Sequence, residues 1–183
     1  TSGQLMPDLK NSFLKDQIFA YPTEGVWGLG CNPFSEKAVK KLIALKKRPE
    51  NKGIIVLGGS IEQLIPFTEH LDEKLKNRMY SKWPGPHTWL VSSSTRTPKW
   101  LLGPTGLIAL RLSNHKTVVK LTETLGMPIC STSANLSGNE PAKDSKEIRT
   151  FFKDKVLIIE GKLGDLKKPT PVQDLESEEW LRK

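Results

Sequence analysis

The sequence predicts one α/β domain: a twisted, mixed parallel and antiparallel sheet flanked by helices. Three observations predict it. Short apolar runs of strand length recur, among them Ile54-Ile55-Val56-Leu57, Leu107-Ile108-Ala109-Leu110 and Val156-Leu157-Ile158-Ile159. Segments with helical periodicity lie between them, and the two kinds intermix without strict βα alternation. The chain of 183 residues falls within the roughly 100–200 residues of a single domain and is long enough to bury a core without staples. No repeat, low-complexity tract or linker divides it, so residues 1–183 are read as one unit.

Residues 1–10 are expected to form a loosely ordered arm. Residues 17–21 read as a strand stopped by Pro22, and residues 23–33 as a glycine-rich loop. Ser35 caps a helix over residues 36–46 whose core stripe is Val39, Leu42 and Ile43. A strand at 54–57 ends at Gly58-Gly59, and a helix over 71–82 is closed by Trp83-Pro84-Gly85-Pro86. Strands follow at 88–91 and 107–111, then a helix over 117–125 with Gly126 as its stop. Residues 128–130 make a strand that feeds a serine-rich turn. A helix over 145–152 and a strand at 156–159 come next. Residues 169–175 pair at a sheet edge, and the tail returns to a charged helix or coil.

Twenty-eight basic against twenty acidic residues give a net charge of +8, which favours anionic partners such as nucleotides or RNA. Cys31 and Cys130 form no Cys-x-x-Cys pair, and His70, His87 and His115 are scattered, so no zinc spacing is present. A cytoplasmic, reduced protein is expected. No apolar run approaches the ~18 residues needed to cross a bilayer, so no membrane role is expected. A P-loop is missing, and Gly28-x-Gly30 lacks the third glycine of a dinucleotide fingerprint because Pro33 stands there.

Two polar motifs carry chemistry. In Lys46-Lys47-Arg48-Pro49 the proline disfavours helical geometry at Arg48. An extended exit with side-chain period two then turns Lys46 and Arg48 to one side and Lys47 away. An arginine fork and a mobile lysine suit phosphate. The alternative is a helix C-terminus decorated with favourable cations. In Ser131-Thr132-Ser133-Ala134-Asn135-Leu136-Ser137-Gly138, Ser133 and Asn135 can face one pocket where a strand ends. The alternative there is an ordinary hydroxyl-rich turn.

These motifs stand in order with Tyr21-Pro22-Thr23-Glu24-Gly25-Val26-Trp27-Gly28-Leu29-Gly30, with Trp83-Pro84-Gly85-Pro86-His87-Thr88 and with Arg111. Over residues 18–174 the chain resembles the YrdC/TsaC family of threonylcarbamoyl-AMP synthases, in its short single-domain bacterial form. The resemblance implies a YrdC-like fold and a nucleotidyltransferase. That enzyme would join L-threonine, bicarbonate or CO2, and ATP into threonylcarbamoyl-adenylate and pyrophosphate. A partner complex would then modify adenosine 37 of tRNAs that read ANN codons. The family's catalytic Lys-x-Arg and Ser-x-Asn map onto Lys46, Arg48, Ser133 and Asn135. Lys52 joins those four in binding ATP, and Thr23, Arg111, Ser131 and Thr170 surround threonine. Mg2+ would arrive with ATP, without a metal site of the protein's own. The pattern departs from longer relatives at Lys52-Gly53-Ile54, where Asn-Pro-Leu is frequent, and at Leu57, where a histidine stands. A competing reading is a module that binds double-stranded RNA or tRNA and assists ribosome or tRNA maturation; net charge supports it, and proteins that this chain resembles have been described in that role.

Overall fold

The structure is a computed structural model describing residues 2–49, 53–136 and 138–183. Helix α1 (Ser2–Leu14) takes up most of the segment expected as an arm. Strands β1 (Ile18–Tyr21) and β2 (Gly28–Gly30) follow, then helix α2 (Glu36–Lys46) and strand β3 (Ile55–Gly58). Helix α3 (Glu73–Tyr80) leads to strands β4 (Thr88–Ser92) and β5 (Leu107–Leu112). Helix α4 (Lys116–Leu125), strand β6 (Ile129–Ser133) and helix α5 (Ser145–Phe152) come next. Strands β7 (Val156–Ile158), β8 (Val172–Asp174) and β9 (Trp180–Arg182) complete the order.

Nine strands form one sheet in the order β7-β1-β2-β6-β3-β5-β4-β8-β9. Three of its neighbouring pairs are parallel and five antiparallel, the mixed sheet expected from the sequence.

Local chemistry sets the helix starts. The Ser35 hydroxyl accepts from Ala38 N–H and donates to Asp16 Oδ1 at 2.6 Å, tying α2 to the turn before β1. Asp72 accepts from Leu75 N–H, so α3 begins at Glu73, later than the periodicity suggested. Asp144 caps α5 by accepting from Glu147 N–H, while Glu147 Oε2 accepts from Lys143 N–H.

Strand alternation sorts the sheet into two faces. Ala20, Val56, Trp89, Leu110 and Cys130 point into the main core, which α2, α3 and α5 cover with Leu42, Met79 and Ile148. Phe19, Tyr21, Leu57 and Ile129 point the other way, under Phe13 of α1 and Val118, Leu121 and Leu125 of α4. Those two helices cover only part of this second face. Farther along the same strands, Ile55, Ser131, Ala109 and Arg111 lie on it. The site described below occupies that uncovered stretch.

Three expectations are corrected. Residues 23–33, read as a loop, contain β2, three residues whose two glycines leave no apolar pattern to read. The serine-rich segment is strand through Ser133, because Gly28 pairs with Ser133 and Leu29 with Thr132. The tail is strand β9, held antiparallel to β8 by the pair Val172–Arg182.

Glycine is required in β2. A Cβ at Gly30 would stand 2.7 Å from both Ile129 Cγ1 and Tyr21 Oη and would also meet Cys130 O. Tyr21 lies across that glycine and donates to Cys130 O. Gly30→Ala is expected to lower stability by about 1–3 kcal/mol through overpacking, read by chemical denaturation; unchanged stability would overturn the account.

Candidate active site

Five strands (β2, β3, β5, β6 and β9) and three loops converge on an open cleft of about 570 Å³. Arg48, Arg111 and Arg182 line it together with Thr23, Ser131 and Ser133. Lys168 and Thr170 close one side. No acidic side chain lines it among the described residues.

Arg48 reaches the cleft by a different turn from the extended exit expected. Lys47 adopts left-handed geometry (φ 55°, ψ 40°), its N–H bonding Ala44 O and Arg48 N–H bonding Ile43 O. This closes the helix as a glycine usually does and swings Arg48 clear of the helix axis. Arg48 Nη2 then donates to Gly53 O at 3.0 Å, and burial lowers its pKa. Lys47 is exposed and is not among the residues that line the cleft.

Lys46 arrives from the other side of the sheet. Helix α2 packs on the main core, and the Lys46 stem passes behind the end of β6, leaving the residue 3% exposed. Its ammonium meets Thr132 Oγ1 (2.7 Å), Ser133 O (2.6 Å), Asn135 Oδ1 (3.1 Å) and Ser133 Oγ (3.3 Å). The Ser133 hydroxyl donates to Asn135 Oδ1 at 2.7 Å, and Asn135 Nδ2 donates to Asn139 O. The four residues singled out as catalytic therefore divide. Lys46, Ser133 and Asn135 form one hydrogen-bonded knot at the cleft's edge, while Arg48 stands across from it.

The residues expected around threonine are brought together. Thr23, Arg111, Ser131 and Thr170 all line the cleft. Two of their hydroxyls are already engaged. Thr23 Oγ1 donates to Val26 O at 2.6 Å, and Thr170 Oγ1 shares a hydrogen with Thr88 Oγ1 at 3.1 Å. Arg111 is 5% exposed, with Nη2 3.9 Å from Glu24 Oε1. Lys52 lies outside the described residues. Leu57 packs beneath α4 with Phe19, Tyr21 and Ile129 and contributes nothing to the cleft.

Sequence reading missed Arg182. Its Nε and Nη2 both donate to Thr170 O, at 2.8 and 2.6 Å. Burial lowers its pKa most, and the neighbouring Arg111 and Arg48 lower it further. Three guanidiniums thus repel one another in one cleft, a charge distribution that an anion relieves. The available signal was the short run Trp180-Leu181-Arg182, too brief to read as a strand alone.

A larger groove of about 1590 Å³ continues from the cleft past Arg48 and Arg182. Ile55, Leu90, Leu107, Ala109 and Leu181 give it an apolar floor. Among the described residues, no group of three or more His, Cys, Asp or Glu is placed to hold a metal ion. No described helix is long and apolar enough to cross a membrane.

A family model described as "Sua5_yciO_yrdC: Telomere recombination" matches residues 11–183. The chain belongs to the Sua5/YciO/YrdC family. It is 44% identical over 169 residues to a protein of Photorhabdus laumondii named threonylcarbamoyl-AMP synthase, covering 91% of this chain and 89% of that one. It is 40% identical over 172 residues to a protein of the same name from Pseudoalteromonas atlantica, covering 93% and 92%. Among solved structures, E. coli YciO superposes with a TM-score of 0.86 at 25% identity, over 98% of this chain and 89% of that one. P. abyssi Sua5 complexed with L-threonine superposes with a TM-score of 0.84 at 29% identity. The match covers 92% of this chain but spans only about half (50%) of the Sua5 chain. Both the Sua5/YciO/YrdC family membership and its mixed α/β fold match the expectation from the sequence motifs.

Proposed function

We propose that this protein is a threonylcarbamoyl-AMP synthase, an enzyme that joins L-threonine, CO2 or bicarbonate, and ATP. The observation that carries this reading is the convergence of Arg48, Arg111 and Arg182 on one cleft lined by no acidic side chain among the described residues. It is supported by 44% identity over nine-tenths of the chain to a protein of that name.

Arg111, flanked by Ser131 and Thr23, holds the amino-acid carboxylate by its planar fork. The amine adds to CO2 and loses a proton, giving a carbamate. A carbamate oxygen then bonds to the α-phosphorus of ATP, the bond from that phosphorus to the bridging oxygen breaks, and pyrophosphate leaves. Negative charge grows on the α-phosphate and the leaving group. Arg48 and Arg182 face that charge, and a charge-assisted hydrogen bond contributes about 1.5–3 kcal/mol. The knot of Lys46, Ser133 and Asn135 fixes the end of β6, so that the Ser133 hydroxyl meets phosphate oxygens in a set geometry. The apolar groove past Arg48 takes the nucleoside. Mg2+, arriving with the ATP substrate, would supply further charge neutralisation to the phosphates. A partner complex then carries the threonylcarbamoyl group to tRNA.

The test is pyrophosphate release by the purified protein with Mg2+, omitting each substrate in turn and adding no RNA. Release that requires threonine, a CO2 source and ATP together is expected. ATP-dependent release indifferent to threonine would overturn the reading; no release at all would overturn it and favour the RNA-binding alternative.

A further inference from the structure

Glu24 follows Thr23 in the loop between β1 and β2, and its carboxylate is unusual. Both oxygens are buried, and neither has a hydrogen-bond partner among the described residues. The side chain is 11% exposed and stands 3.9 Å from Arg111 Nη2, too far for a hydrogen bond. Arg111 Nε is likewise buried without a partner among the described residues. Two opposite charges are buried together, and three of their polar atoms make no hydrogen bond among the described residues. As a stabilising device this is poor, since desolvation is offset only by close, well-bonded geometry. Buried polar groups left unsatisfied in a native fold call for a reason.

The loop is nevertheless built to hold Glu24 in place. Gly164 N–H donates to Thr23 O at 2.8 Å and Leu166 N–H to Glu24 O at 3.1 Å. Gly164 has no room for a side chain, because a Cβ would come within 2.8 Å of Glu24 backbone atoms. Gly25 likewise abuts the carbonyl of Lys168. The segment around 164–168 is thus laid over residues 23–25 with glycine at the points of contact.

On the reading of the cleft as a threonine and ATP site, we infer that Glu24 is a positioning residue for Arg111. Its oxygens lack exposure to the cleft, so it touches neither substrate. It counters Arg111 from behind, against the repulsion of Arg48 and Arg182. That holds the guanidinium fork toward the carboxylate of the amino acid. Arg111 is then shared between a carboxylate of the protein and one of the substrate, and Glu24 selects for threonine binding while leaving ATP to the other two arginines.

The role separates from fold support and from bulk electrostatics by the direction of its effects. Pyrophosphate release gives KM for threonine and for ATP separately, and thermal melting reports the fold. Glu24→Gln is expected to raise KM for threonine about tenfold, the scale of one lost charge-assisted contact. KM for ATP stays level or falls, because the cleft becomes more positive. In an Arg111→Lys background the same change adds less than about twofold, the sign of a shared pathway. Glu24→Asp, which keeps the charge and withdraws it by one methylene, gives an intermediate KM for threonine. If Glu24→Gln does not fold, the KM split in Glu24→Asp decides. An unchanged KM for threonine, a parallel rise for both substrates, or full additivity with Arg111→Lys overturns the inference. In each of those outcomes a threonine-dependent wild-type reaction leaves the synthase reading standing.

Discussion

Alanine at Arg48 is expected to lower adenylate formation at least tenfold with the melting temperature preserved. The guanidinium is half-buried, faces the cleft and bonds one loop carbonyl, Gly53 O, so its removal leaves little of the fold unsupported. Losing one or two charge-assisted contacts of about 1.5–3 kcal/mol to the developing phosphate charge corresponds to roughly ten- to several-hundred-fold in rate. Lys46→Ala falls as far in activity by another route. Its ammonium bonds Thr132, Ser133 and Asn135, so its loss strands buried oxygens and lowers the melting temperature as well. Side-by-side rates and melting curves check both. Near-normal activity in the two variants would remove them from the mechanism.

Arg111→Ala is expected to weaken threonine far more than ATP. The residue is nearly fully buried, sits opposite Leu57 in the central strands and is flanked by the Ser131 side of the cleft. Alanine also leaves Glu24 buried without its counter-charge, so some loss of stability accompanies it. Arg111→Lys keeps the charge and loses only the planar fork, isolating the recognition effect. Calorimetric titration of each substrate checks the prediction. Equal weakening of threonine and ATP would show that Arg111 acts on the whole cleft and not on the amino-acid end.

Much of the frame was legible because it rests on short-range chemistry. The caps at Ser35 and Gly126 and the apolar stripe of α2 are local facts, and they hold in the structure. Strands β3, β5 and β7 announce themselves by apolar runs. What escaped depends on partners far away in sequence. Strand β2 is a strand because β1 and β6 flank it. Strand β9 exists because β8 pairs with it.

The site divides along the same line. Arg111, Ser131 and Ser133 were readable from their motifs, and strand alternation then places the first two on the open face. Arg182 was not, since its short strand carries no periodic signal. The convergence of Lys46 and Arg48 was expected from Pro49. The structure instead sends Lys46 into the knot and Arg48 into the cleft, parted by the left-handed Lys47, a conformation that nothing in a lysine's side chain advertises.

Strand β9 also ties the cleft to the edge of the sheet. Thr23 and Arg182 line one cleft, yet nearly the whole sequence separates them. Strand β9 pairs with β8, β8 with β4 and β4 with β5, so the edge strand is linked to the centre of the sheet through two others. Long-range pairings of this kind close slowly. Arg182 takes its place beside Arg48 and Arg111 only once β9 is paired to β8 and β8 to β4. A nucleotide held by Arg182 therefore stabilises that outer pairing by mass action.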